Sequence, residues 1–154
     1  MPKIESRVEI GAPSTTVFPW LVEPDRLRRW ISGFIGSEPI GSGEVRVGSR
    51  SRDIIEAEGR RIEVETEIVE LRPGERLAVR ITSSSHDQID SYDLDARDGA
   101  TELTYRSDMR LRGLTRLLTP LITPRIRARA DNDLATLKRE VEADMPVSAA
   151  ARAE

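Results

Sequence analysis

The chain has 154 residues, no cysteine, one histidine and a net charge of −3. That is the length of one domain able to bury a sizeable core without a staple. The lack of cysteine excludes disulfides, thiol nucleophiles, iron–sulfur clusters and thiolate zinc, and a lone His86 excludes a multi-histidine metal centre.

Residues 4–10 alternate, with Ile4, Val8 and Ile10 on one face, and predict a strand. Gly11-Ala12-Pro13-Ser14 breaks it, and Pro13 suits the first position of a helix. Val17, Phe18, Trp20 and Leu21 follow on a helical face, which Pro19 keeps short or distorted. Glu23-Pro24-Asp25 opens a second short helix carrying Leu27 and Trp30. Residues 31–40 predict a strand, and Gly41-Ser42-Gly43 a loop.

Strands are then expected over 47–57, 61–71, 76–83, 88–96 and 101–111. In the second, Ile62, Val64, Thr66 and Ile68 oppose Arg61, Glu63, Glu65 and Glu67, the pattern of a sheet with one wet side. Arg72-Pro73-Gly74-Glu75 is a turn, and Arg97-Asp98-Gly99-Ala100 a hairpin turn. After Gly113 the apolar spacing becomes helical, from Leu114 through Leu117, Leu121, Ala130, Leu134 and Leu137 to Val141. Pro120 and Pro124 predict a kink or break, and Pro146 a stop. The expected organisation is one domain over 1–145 and a loose tail over 146–154. A sheet with one apolar face needs a cover, and the last helix carries the matching stripe. The fold class is α+β: a curved antiparallel sheet wrapped around a long C-terminal helix, with two short helices after the first strand.

Particular residues carry a family resemblance. Ile10-Gly11-Ala12-Pro13 through Val17-Phe18-Pro19-Trp20-Leu21 resembles the strand, Ala-Pro turn and helix of the START-like, or Bet v 1-like (SRPBCC), helix-grip superfamily. Glu23-Pro24-Asp25 through Trp30 is similar to its Asp-Pro…Trp segment, with Glu23 where the family often has Asp. Leu134 through Glu142 resembles its Leu-x-x-Leu-Lys-x-x-x-Glu ending. The resemblance covers residues 3–143 and is nearest to the polyketide cyclase/dehydrase-like group. It implies an apolar ligand held between sheet and long helix.

The expected wall of that space is Ile54, Ile62, Val64, Ile68, Val79, Ile81, Tyr92, Tyr105, Leu117 and Leu121, with Trp30 and Phe34 at its mouth and Trp20 in the core. Strand parity adds polar groups: Asp90 in phase with Tyr92, Ser107 with Tyr105, and Thr66 with Val64. An interior carboxylate must be paired or have a raised pKa, as a general acid or a hydroxyl acceptor requires. Asp90 near a strand end, reaching water or an arginine, is the competing reading. Arg50, Arg52 and Asp53 put a charge on the inner face of their strand in either parity, unless the strand end is wet on both faces. His86, in a serine-rich segment, reads as a surface turn residue. Arg110, Arg112, Arg116, Arg125, Arg127 and Arg129 make the start of the last helix basic, and read as a solvated face.

Met1 to Glu5 carries no apolar signal region, and the longest uncharged stretches, 11–22 and 117–124, fall short of the ~20 residues of a membrane span. The expectation is a soluble, cytoplasmic protein with no integral membrane association, no nucleic-acid partner, no metal or cofactor, and a monomeric or homodimeric state. Its partner would be a small hydrophobic or aromatic ligand, lipid- or polyketide-like, bound as by a carrier or sensor. Two alternatives stand beside this: a cyclase/dehydratase-like enzyme using Asp90, Tyr92 and Tyr105, and a partner-binding module similar to the Hsp90-activator branch of the fold.

Overall fold

The structure, a computed structural model, describes residues 3–42, 44–57 and 59–145. The tail expected at 146–154 and the loop residue Gly43 lie outside the described residues. Strand β1 (Lys3–Ile10) leads into three short helices, α1 (Ser14–Val17), α2 (Pro19–Val22) and α3 (Pro24–Trp30). Pro19 divides what the apolar spacing reads as one helix, because its ring cannot continue the hydrogen-bond ladder; it starts α2 instead.

Six strands follow: β2 (Phe34–Ile40), β3 (Arg50–Ala57), β4 (Arg60–Arg72), β5 (Arg76–Thr82), β6 (His86–Arg97) and β7 (Ala100–Leu111). They form one antiparallel sheet with β1 in the order β1-β7-β6-β5-β4-β3-β2, so β1 closes beside the last strand. Asp98 (φ 48°) and Gly99 (φ 82°) make the two-residue turn between β6 and β7. Two positive φ values match the twist of a tight hairpin, which is why Asp-Gly stands there. Gly33 is required for space as well as for φ: a Cβ there would meet the Glu56 carbonyl oxygen at 2.1 Å.

A 3₁₀ segment (Gly113–Leu118) then feeds α4 (Thr119–Ala143), which has Pro120 in its first turn and Pro124 inside it. The expected break therefore falls at Thr119, where 3₁₀ becomes α. Helix α4 buries Ala130, Asp133, Leu134, Leu137 and Val141. Of these, Leu134, Leu137 and Val141 pack with Ile10, Val17, Trp20, Leu21, Trp30, Leu77, Leu94 and Leu103. The grip is made by the second half of α4, against the β1 end of the sheet and the short helices.

Two bulges adjust the face that each strand presents. Between Ile68 and Glu70, β4 shifts register against β5, so Leu71 returns to the inner face beside Leu77. A second shift falls between Phe34 and Gly36.

Candidate functional site

The ladder registers assemble the inner face in rows. One row runs Ile4–Ser107–Asp90–Val79–Ile68. The next runs Ser6–Tyr105–Tyr92–Leu77–Leu71. On the other side lies Met109–Gln88–Ile81–Thr66–Ser51. Alternation along β6 and β7 thus does bring Asp90, Tyr92, Tyr105 and Ser107 together.

Asp90 is only 6% exposed, and its Oδ1 accepts a 2.7 Å hydrogen bond from the Gln88 amide. It neither reaches water nor meets an arginine. Burial pushes its carboxyl above the usual carboxylate range, against the smaller opposing effects of Gln88, Ser107 and Tyr105. Ser107, directly opposite and 3% exposed, leaves its Oγ without a hydrogen bond of acceptable geometry. Buried hydroxyls are ordinarily satisfied, so this one is an exception at the centre of the inner face.

An aromatic wall adjoins these groups. Tyr92 and Tyr105 lie with ring centroids 5.2 Å apart, and Trp30 meets Tyr92 edge-on at 6.3 Å. Trp30 is buried and donates from Nε1 to the Trp20 carbonyl at 2.9 Å. Phe34 is buried as well. Desolvation raises both tyrosine hydroxyls, with Asp90 adding to the effect, so each stays a neutral donor.

Helix α4 supplies a second carboxylate. Asp133 is buried, accepts from the Ser32 backbone N–H at 3.3 Å and bonds the Ser32 hydroxyl, while Arg129 donates to the Ser32 carbonyl. Burial raises its pKa, partly offset by Ser32 and Arg129. At the other edge, Ser6 of β1 donates to Asp131. These contacts pin α4 across the sheet at the tyrosine row. Beyond it, Thr66, Ile68, Val79, Ile81 and Gln88 are only half-buried, although they point to the concave side.

Several expectations are corrected. Ile54 stands on the outer face, opposite Glu63; its neighbours Asp53 and Ile55 point inward instead. The inward charge of β3 is therefore Asp53, buried against Ser51 (2.9 Å) and Thr66 (2.7 Å), while Arg50 and Arg52 pair outward with Glu65 and Glu63. Leu117 (77% exposed) and Leu121 (70%) do not face the sheet. Leu117 sits in the 3₁₀ segment, whose three residues per turn lose the α-helical phase, and Leu121, inside α4, lies nine residues and so half a turn away from the buried Ala130. Ile62 keeps the inner parity but sits exposed near the start of β4. His86 opens β6 rather than a turn, half-buried with Nδ1 2.8 Å from the Ser83 hydroxyl. Val64 is buried opposite Asp53, as its parity implies.

Gln88 and Asp133 escape the sequence reading. Gln88 shares the parity of Asp90 and is legible from it. Asp133 lies within the apolar stripe of α4, next to Leu134, and that position is its signal. Two surface depressions lie elsewhere. One, of about 240 Å³, is lined by the outer-face charges Arg50, Glu65, Glu67 and Arg80 together with Thr82. The other, of about 470 Å³, runs along the first turns of α4 from Pro120 to Asp131. Among the described residues no group of three or more His, Asp or Glu is placed to hold a metal. No helix there is long and apolar enough to cross a membrane.

The family described as polyketide cyclase / dehydrase and lipid transport matches residues 1–142. The chain belongs to this family. Polyketide cyclase/dehydrase members share the helix-grip architecture, and solved structures show the same fold. TTHA0849 from Thermus thermophilus superposes with a TM-score of 0.78 at 16% identity, over 94% of this chain and 100% of that one. A START superfamily protein from Mycobacterium smegmatis gives 0.76 at 14% identity, over 92% and 98%. The di-domain ARO/CYC BexL of the BE-7585A biosynthetic pathway gives 0.75 at 17% identity, over 92% of this chain and 47% of that one. No curated protein matches the sequence. Family match and fold thus agree over nearly the whole chain.

Proposed function

We propose that the protein binds a small, largely apolar or aromatic ligand between the sheet and α4, as a carrier or sensor, and fixes one hydroxyl or carbonyl of it at Asp90 and Ser107. The observation that carries this reading is the unpartnered Ser107 Oγ beside the buried Asp90 carboxyl. A hydroxyl and a carboxyl without full partners supply the few placed polar groups of a binding site. The half-covered Ile68, Val79 and Ile81 and the Trp30–Tyr92–Tyr105 wall supply the apolar contact. Asp90 would accept from a ligand hydroxyl when ionised, or donate to a carbonyl when protonated.

One observation favours chemistry as a second reading. A carboxyl raised by burial and set beside a neutral tyrosine hydroxyl has the components of an acid–base pair. In a cyclase- or dehydratase-like reaction, Asp90 would exchange the proton and Tyr105 would stabilise a developing enolate oxygen.

Titration with naphthol, an aromatic ring bearing one hydroxyl, tests the site. Tryptophan fluorescence reads binding, and the ring resonances of Tyr92 and Tyr105 read location. Asp90→Asn and Ser107→Ala should each weaken binding about five- to tenfold, the worth of one hydrogen bond. Wild-type affinity in both variants, or saturation without movement of either tyrosine resonance, contradicts the proposal.

A further inference from the structure

The first half of the C-terminal arm does not grip the sheet. Leu114 is 85% exposed, and Leu117, Leu118 and Leu121 stand out with it. In a 3₁₀ turn, residues three apart eclipse, so Leu114 and Leu117 form one continuous face. Leu121 lies on the side of α4 away from the buried Ala130, nine residues on at about 100° per residue. Four leucines within eight residues of a connecting segment make a contiguous apolar patch of the kind that marks an interaction site.

Charge segregates to the same segment. From Arg110 to Arg129 there are six arginines and no carboxylate, in a chain of net charge −3. Arg112 pairs with Asp87 and Arg129 with Asp133. Arg110, Arg116 and Arg127 have no carboxylate partner among the described residues.

We infer that this arm, Arg110 to Arg127, docks the protein peripherally on an anionic lipid surface. The leucines would enter the boundary between headgroups and acyl chains while the arginines meet lipid phosphates, the layout of an interfacial amphipathic segment. A second copy of the chain fits less well. A two-fold contact through the leucines would bring one arginine cluster against the other. Nucleic acid fits less well too, because no aromatic ring lies among the arginines to stack on bases. The inference is independent of the ligand proposed above, since it uses none of the residues beneath α4.

The test is sedimentation with phosphatidylcholine–phosphatidylglycerol vesicles, against pure phosphatidylcholine vesicles, at low and high salt. The wild-type protein should sediment with the anionic vesicles only, and less at high salt. Leu117→Glu/Leu121→Glu should reduce partitioning about a hundredfold, and Arg116→Glu/Arg127→Glu about tenfold or more. All four side chains are exposed, and unchanged far-UV spectra and melting of the variants establish that they remain folded. Failure to bind anionic vesicles, or binding that both variants retain, overturns the inference. So does concentration-dependent self-association that Leu117→Glu/Leu121→Glu abolishes, which would assign the face to a second copy.

Discussion

Asp90 and Ser107 face each other across the β6–β7 ladder, both buried, and only the carboxyl has a hydrogen-bond partner of good geometry. The asymmetry gives the two residues opposite signatures. The Ser107 hydroxyl is desolvated with no hydrogen bond of good geometry in the free protein, so little stability rests on it there. Ser107→Ala should leave the free protein as stable or more stable, by up to about 1 kcal/mol, while ligand affinity falls. Urea denaturation beside a binding titration measures both. Loss of stability without loss of affinity would make Ser107 a packing residue only.

Asp90 makes stability depend on pH. Its carboxyl is raised above 3.8 in the folded protein, mainly by burial, so the folded state holds the proton more tightly than the unfolded chain does. Its favourable contribution is complete below about 3.8 and is lost as pH rises through the elevated folded value. Asp90→Asn keeps an acceptor for Gln88 and removes the ionisation. It should be more stable than the wild type at neutral pH, on the order of 1 kcal/mol, and the gap should close in acid. Denaturation midpoints across pH test this, and a pH-independent difference would contradict a buried ionisable role.

His86 acts in the other direction. Burial holds its imidazole below 6.5, opposed by Gln88 and Asp87. The neutral ring therefore supports the fold above 6.5, and that support is lost as pH falls through the lowered folded value. His86→Gln should flatten this part of the stability curve. A histidine titrating at its ordinary value by NMR would place it in water.

The two halves of the C-terminal arm should respond differently to truncation of a side chain. Leu137 is fully buried, and Leu137→Ala should cost about 2–5 kcal/mol through lost burial and a cavity. Leu121→Ala should stay within about 0.5 kcal/mol, as an exposed side chain does. Thermal melts of the two variants show where the helix grips. Similar losses in both would mean that Leu121 is covered in solution.

Much of this is legible in the residues because strand alternation is strict. Parity alone places Asp90, Tyr92, Tyr105 and Ser107 on one face, and the Asp98-Gly99 turn fixes which of them meet across β6 and β7. Parity cannot choose between Asp53 and its arginine neighbours, because both phases of β3 carry charge and apolar bulk; the ion pairs of Arg50 and Arg52 with β4 decide it. Nor does an apolar stripe say what covers it. Leu117 and Leu121 repeat at helical spacing, yet Leu117 falls in the 3₁₀ segment and Leu121 lies half a turn from the buried face of α4. The hidden carboxylate Asp133 has no polar motif to mark it, and its place beside Leu134 in the apolar stripe of α4 is the guide to it.

That the polar cluster beneath α4 receives a ligand is tested most directly by native mass spectrometry of gently purified protein. The wild type and the Asp90→Asn/Ser107→Ala double variant should be measured side by side, with organic extraction and mass analysis of whatever is released. A defined adduct is expected on the wild type, apolar or aromatic with at least one oxygen, with its loss or marked depletion in the double variant. An adduct retained equally by both proteins, or a bare wild-type mass together with no naphthol binding at Tyr92 and Tyr105, would contradict a ligand site there.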